Sequence, residues 1–280
     1  MSGSGAARTS SRCPIRPPDG AARSWLRVSI RVFDALASVL IAPECAACGR
    51  PLERPSGGPV CPGCWEAVRR FTPPLCPRCG DPLPAPAADA GDACPACRGA
   101  DHLIAIARAV GPYEGRLRDI VHAFKYDGRR TLAGPLAALL RDAGRDVIDG
   151  ADAAVPVPLH WTRRHQRGFN QAALLCERLG IPVLHALRRG RRTRPQVELP
   201  AGERRRNVAG AFALARCYRG TPPRLRPRRV APSLEGSTLV LVDDVSTTGA
   251  TLDACARLLA AAGAREVRVL TLARVASRPS

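Results

Sequence analysis

The stretch Leu239-Val240-Leu241-Val242-Asp243-Asp244-Val245-Ser246-Thr247-Thr248-Gly249-Ala250-Thr251 constrains this chain more than any other. Its first four residues alternate Leu and Val, the pattern of a short buried parallel strand. Two adjacent carboxylates, Asp243 and Asp244, stand where that strand is expected to end. A turn of small residues, Ser246 to Thr251, follows, and residues 252–262 continue as an Ala/Leu-rich helix before Gly263. A strand, a tight turn and a helix N-terminus make an anion site, because free backbone N–H groups and the positive dipole end converge there. Ser and Thr hydroxyls add donors, and Gly249 lets the backbone approach a phosphate closely. The two acids would repel that phosphate and suit neighbouring hydroxyls instead, as on a ribose or around a magnesium ion. A 5-phosphorylated ribose satisfies both halves of the motif.

Four C-x-x-C pairs form the second constraint: Cys45/Cys48, Cys61/Cys64, Cys76/Cys79 and Cys94/Cys97. Residues 1–24 are polar and Arg-containing, without the apolar run of a secretory leader. Paired thiols in such a chain read as metal ligands rather than disulfides. Two pairs brought together give a tetrahedral four-thiolate zinc site with no open position, hence a structural ion. Sequential pairing gives two zincs, on Cys45, Cys48, Cys61, Cys64 and on Cys76, Cys79, Cys94, Cys97; the spacing leaves interleaved pairing open. A thioredoxin-like redox role is the weaker alternative, since no βαβ pattern surrounds the pairs.

The remaining chain divides around these motifs. Residues 1–24 read as a disordered basic tail, and residues 25–100 as an amphipathic helix followed by the double ribbon. From residue 101 to 274 strands and helices alternate, which implies a parallel, doubly wound α/β sheet with ligands at strand C-terminal ends. Strands are expected at 104–110, 153–157, 239–242 and 266–272, and helices at 114–124, 131–141 and from Gln171 to Leu179. Residues 218–236, rich in Pro and Arg, read as a disordered insertion. No uncharged apolar run of 18 residues exists, so no membrane span is expected. The net charge of +19 favours polyanionic partners. Arg-, Ala-, Gly- and Pro-rich composition is also what GC-rich coding produces, so charge alone does not assign nucleic acid. Lys125 is the single lysine of the chain, a compact point charge where every other cation is a planar guanidinium.

The loop resembles the 5-phosphoribosyl-1-diphosphate (PRPP) loop of type I phosphoribosyltransferases. The whole layout resembles the ComF family of late competence proteins. The resemblance rests on the C-x-x-C array, Phe124-Lys125-Tyr126, Pro156-Val157-Pro158, Arg167-Gly168-Phe169-Asn170-Gln171, Gln196, Arg206-Asn207-Val208 and the Asp243–Thr251 motif. It spans roughly residues 35–274 and leaves the basic tail and the 218–236 insertion unexplained. It implies a mostly parallel α/β sheet of type I phosphoribosyltransferase kind, preceded by a small zinc-ribbon domain. Asp243 and Asp244 would hold the ribose 2- and 3-hydroxyls, and Ser246, Thr247, Thr248, Gly249, Ala250 and Thr251 the 5-phosphate. The loop of Pro156, Val157 and Pro158 would present to pyrophosphate either backbone N–H groups or, with Arg163 and Arg167, positive charge, with Mg²⁺ held mainly by ligand oxygens and water. Lys125 or Arg206, with Arg204 and Arg205 as further candidates, would supply the cation that neutralises the leaving group. The implied partners are PRPP, single-stranded DNA and a competence helicase, in the cytoplasm.

Three functions follow. One is a PRPP-binding protein of DNA uptake and natural transformation. Another is an active phosphoribosyltransferase moving phosphoribosyl to a nitrogen nucleophile such as a nucleobase. The third, a zinc module with a vestigial ligand site, is opposed by the intact loop. Single-strand binding usually adds stacking rings to cations, and Trp65, Phe71, Tyr113, Tyr126, Trp161 and Phe169 are the candidates.

Overall fold

The computed structural model describes residues 43–84, 93–98, 103–126, 128–159, 168–190, 210–218 and 233–275. The expected amphipathic helix and basic tail lie outside them.

The ribbons come first. A short helix α1 (Pro62–Glu66) sits in the first, and each ribbon closes on one set of hydrogen bonds. Cys45 N donates to Arg50 O and Cys76 N to Asp81 O, both at 2.8 Å; Leu52 N donates to Pro43 O and Leu83 N to Pro74 O, both at 2.9 Å. Gly49 and Gly80 take the left-handed conformation that each knuckle turn requires.

The α/β domain then runs β1 (Ile104–Pro112), α2 (Gly115–Tyr126), α3 (Ala133–Ala143), α4 (Arg145–Ile148), β2 (Ala153–Pro156), α5 (Gln171–Cys176), β3 (Leu187–Arg189), β4 (Phe212–Leu214), β5 (Thr238–Ser246), α6 (Ala250–Ala261) and β6 (Glu266–Arg274). Four strands form a parallel sheet in the order β1-β6-β5-β2, and β3 and β4 make a separate antiparallel pair. Side chains alternate across β5. Val240 and Val242 enter a core with Leu117, Ile120 and Phe124 of α2 and Leu136 and Leu140 of α3. Leu239 and Leu241 enter the opposite core, with Leu252, Ala256 and Leu259 of α6 and with Phe212.

The first ribbon belongs to the former core, since Cys45, Leu52, Val60, Cys64 and Val68 pack in the same cluster as Leu117 and Leu270. Both ribbons also line the outer edge of β1, which would otherwise expose a row of open backbone groups. Phe71 N donates to Val110 O at 2.9 Å, and Ala107 N donates to Arg78 O at 2.6 Å. Gly111 lies so close to this segment that a Cβ there would stand 2.1 Å from Arg69 O.

Two expectations change. The strand does not end at Asp243: β5 runs on to Ser246, because β6 continues to pair with it through Val245↔Ala273 and Ser246↔Arg274. The 218–236 stretch is anchored at both ends, with Tyr218 and Leu234 buried in the core under α6. Its middle, residues 219–232, lies outside the described residues.

Candidate anion site and paired metal centres

The eight cysteines gather in two groups, Cys45, Cys48, Cys61, Cys64 and Cys76, Cys79, Cys94, Cys97, so the pairing is sequential. Within each group every ligand atom lies within 4.8 Å of the others. Cys45 and Cys64 sulfurs are 3.9 Å apart, Cys48 and Cys61 3.9 Å, and Cys79 and Cys94 3.6 Å. A tetrahedron of thiolates about 2.3 Å from zinc has edges of about 3.8 Å. Both groups therefore fit a structural zinc. Backbone N–H groups support the sulfurs: Cys61 N donates to Cys45 Sγ and Cys94 N to Cys76 Sγ, each at 3.3 Å. The Arg50 backbone N–H, and then its side chain, bring the Cys48 thiol down to about 6.

The turn after β5 has the elements of an anion site. Gly249 stands at the N-cap of α6 in the left-handed conformation, φ 75°, and its carbonyl accepts the helix's first hydrogen bond, from Asp253 N at 2.8 Å. The Thr248 hydroxyl oxygen is buried and has no hydrogen-bond partner among the described residues. A buried hydroxyl without a partner costs about 1–3 kcal/mol, and a phosphate oxygen is an acceptor that would satisfy it. Ala250 and Thr251 already belong to the first turn of α6, so their backbone N–H groups are among those a helix leaves open.

The two acids face opposite ways from β5. Asp244 is buried, and its Oδ1 receives the Lys125 ammonium at 2.9 Å, each side chain being only 12% exposed. Lys125 ends α2 and lies 5.8 Å from the Tyr113 ring centroid. Asp243 is half-buried on the α6 side, and its Oδ1 accepts from Asp244 N at 2.9 Å. Burial, and then the Asp244 carboxylate, push the Asp243 carboxyl up to about 7, against the opposing pull of Lys125 and Arg189. Burial and the Asp243 carboxylate likewise push the Cys255 thiol of α6 up.

The motifs that sequence separates meet in space. Phe169 packs on Phe124 with ring centroids 5.7 Å apart, and the Arg130 guanidinium lies 5.0 Å above the Phe169 ring. Gln171, fully buried, donates from Nε2 to Lys125 O at 3.4 Å. Asn170 caps α5 by accepting from Ala172 N and donates to Val157 O at 3.1 Å.

Of the two alternatives for Pro156–Val157–Pro158, the structure bears on the backbone donors. Pro156 and Pro158 have no N–H, and Val157 N donates to Val242 O at 2.9 Å. These three residues shape the end of β2 and have no spare N–H for pyrophosphate. The ammonium of Lys125, a candidate leaving-group cation, lies against Asp244 in this structure. Arg163, Arg167, Arg204, Arg205 and Arg206 lie outside the described residues.

A cavity of about 450 Å³ adjoins the turn from the other side, walled by Ser246, Thr248 and Gly249, by β1 and β6, and by Arg78, Asp81 and Cys97 of the second ribbon. Neither Asp243 nor Asp244 lines it. Arg274 closes this wall, donating to Cys79 O at 2.7 Å and pairing with Asp81 at 2.9 Å. Sequence reasoning missed Arg274 and Arg189, single arginines among many, with no local pattern to mark them. Among the described residues no helix is long and apolar enough to cross a membrane.

Known proteins agree with this layout. The phosphoribosyl transferase domain model matches residues 167–280, and the double zinc ribbon domain model matches residues 36–99. Competence protein F of Haemophilus influenzae is 34% identical over 241 residues, covering 82% of this chain and 96% of that protein. DNA utilization protein YhgH of Salmonella typhimurium is 34% identical over 248 residues, with the same coverage of 82% and 96%. Competence protein ComFC of Bacillus subtilis is 30% identical over 223 residues, 77% of this chain and 84% of that protein.

Proposed function

The chain belongs to the competence protein F/ComFC family, and from that premise we propose that it binds Mg²⁺–PRPP and handles single-stranded DNA during uptake. The observation that carries the ligand half is the buried, unpartnered Thr248 hydroxyl in a left-handed turn at the α6 N-terminus, directly after the paired acids.

In this reading the acids accept hydrogen bonds from the ribose 2- and 3-hydroxyls. Lys125 engages one oxygen of Asp244 and holds that carboxylate in place for the ribose. Ser246, Thr247 and Thr248 give hydroxyls, and Gly249, Ala250 and Thr251 give backbone N–H groups, to the 5-phosphate. A magnesium ion, when bound with PRPP, supplies charge neutralisation on the pyrophosphate through the ligand's own oxygens. On the protein side, charge at the pyrophosphate falls to Arg163, Arg167 and Arg206, since the Pro156–Pro158 segment has no free N–H. The half concerning DNA, including any helicase partner, draws on the names of the relatives and on the chain's charge of +19.

Titration calorimetry of Mg²⁺–PRPP into the zinc-loaded wild type and Asp243→Asn tests the ligand half. Binding to wild type that is weakened in the variant is the expected result, and no heat with wild type refutes it. A pyrophosphate assay over a nucleobase panel then separates the alternatives. Release with one base makes the protein a phosphoribosyltransferase; none leaves a PRPP-responsive binding protein.

A further inference from the structure

Of the aromatic residues that sequence offers as stacking platforms, one is exposed among the described residues. Phe169 is buried, Trp65, Phe71 and Tyr113 are half-buried, and Trp161 lies outside the described residues, whereas Tyr126 is 59% exposed. It ends the outer stripe of α2, where Arg118, His122 and Tyr126 follow one another at four-residue spacing and are all exposed. That spacing puts them on one helix face. The His122 and Tyr126 rings lie 4.6 Å apart with a 38° tilt, so they form a small continuous aromatic surface. From Arg118 to Tyr126 the stripe is about 12 Å long at 1.5 Å per residue.

The described acids beside the stripe are matched by arginines, and Asp127 lies outside the described residues. Asp119 is drawn to Arg116 at 3.1 Å, and Glu114 pairs with Arg69 across the ribbon contact. Arg118 has no acidic partner among the described residues. Beyond the helix end stand Arg129 and the exposed Arg130, whose Nη2 donates to Gly168 O at 2.8 Å. Open rings interleaved with guanidinium groups are what unpaired bases on a phosphate backbone require. A membrane surface would call for Leu, Phe or Trp on this face, and the stripe has none.

We propose that the Arg118–His122–Tyr126 stripe of α2, with Arg129 and Arg130, is the contact surface for single-stranded DNA. The proposal rests on the DNA-handling half of the function above and gives it a location. The adjacent Lys125 reaches inward to Asp244, so DNA on the outer face and ribose at β5 would share one helix. Bases stack on the two rings while Arg118 and Arg129 neutralise the flanking phosphates.

Fluorescence anisotropy with a labelled oligothymidine tests this on the zinc-loaded full chain, with wild type, Tyr126→Ala, Tyr126→Phe and Arg118→Ala. All three substitutions are at exposed positions, and a circular dichroism melt checks the fold of each variant. Tyr126→Ala is expected to weaken binding by about 5- to 150-fold, the range for one stacked base. Tyr126→Phe should keep wild-type affinity, and Arg118→Ala should reduce the slope of log K against log salt by about 0.7. Wild-type binding that is unchanged in Tyr126→Ala overturns the surface and leaves the DNA reading intact. A wild type that fails to bind the single strand, or prefers a duplex, overturns both.

Discussion

The Lys125–Asp244 pair sets a quantitative test of the candidate site. Unit charges 2.9 Å apart attract by about 6 kcal/mol at an effective dielectric of about 20. Desolvating two side chains that are each only 12% exposed offsets a large part of this. Removing one member of such a pair leaves the other buried and unmatched, at a cost of about 3–5 kcal/mol. Lys125→Met and Asp244→Asn are therefore each expected to destabilise the protein by about 3 kcal/mol. The double variant should lose little more than either single one, a coupling of about 2–3 kcal/mol. At about 2–4 °C per kcal/mol for a chain of this size, each single variant should melt about 6–12 °C lower. Lys125→Arg should not restore the loss, because a planar fork does not replace a point charge in this space. The assay is calorimetric or urea unfolding of the four zinc-loaded proteins. A coupling below about 0.5 kcal/mol would refute the pair as an organising contact of the site.

Other consequences follow from the same geometry. Metal analysis should return two zincs per chain, and chelation should melt ribbon and sheet in a single transition, because Cys45 and Cys64 share a core with Leu270; two separate transitions would contradict that shared core. Gly111→Ala places a methyl 2.1 Å from Arg69 O and should cost about 1–3 kcal/mol, with faster proteolysis between the ribbons, while Gly134→Ala, in open space on α3, should be neutral or stabilising by about 0.5–1 kcal/mol. The fold holds the Asp243 carboxyl at about 7, against about 3.9 in an unfolded chain. More protons are then bound at this group folded than unfolded, so its own contribution to stability is fully present below about pH 4 and is lost as pH rises through about 7. Thermal melts of Asp243→Asn across that window should show a flatter profile, and an identical slope in both proteins would remove Asp243 as its source.

Much of this was readable in advance, for reasons that differ by element. The Leu/Val run at 239–242 read as a strand buried on both faces, and the regular C-x-x-C spacing favoured four-thiolate sites over a redox role. The true end of β5 was not readable, because it is set by the length of β6 rather than by β5's own residues. The Lys125–Asp244 pair was hidden for a similar reason: both residues stood out in the sequence, but they lie on elements distant in sequence and nothing there joined one to the other. Val157 illustrates a limit of motif transfer, since a residue in the matching place spends its N–H on a neighbouring strand. The docking of the ribbons along β1 is made partly by backbone groups, and that part shows in the sequence only as Gly80 and Gly111, where the approach allows no side chain.

The strand order β1-β6-β5-β2 bears on how the protein is made. The sheet partner of β1 is β6, the last of the described strands in chain order, so β1 emerges long before its sheet neighbour exists. Pairing between such distant segments closes slowly, and an open strand edge invites wrong partners in the meantime. The ribbons are translated just ahead of β1 and already hold its other edge through Arg78 and Phe71. Loaded with zinc on the nascent chain, they would act as a built-in chaperone, covering half of the first strand until the last one arrives.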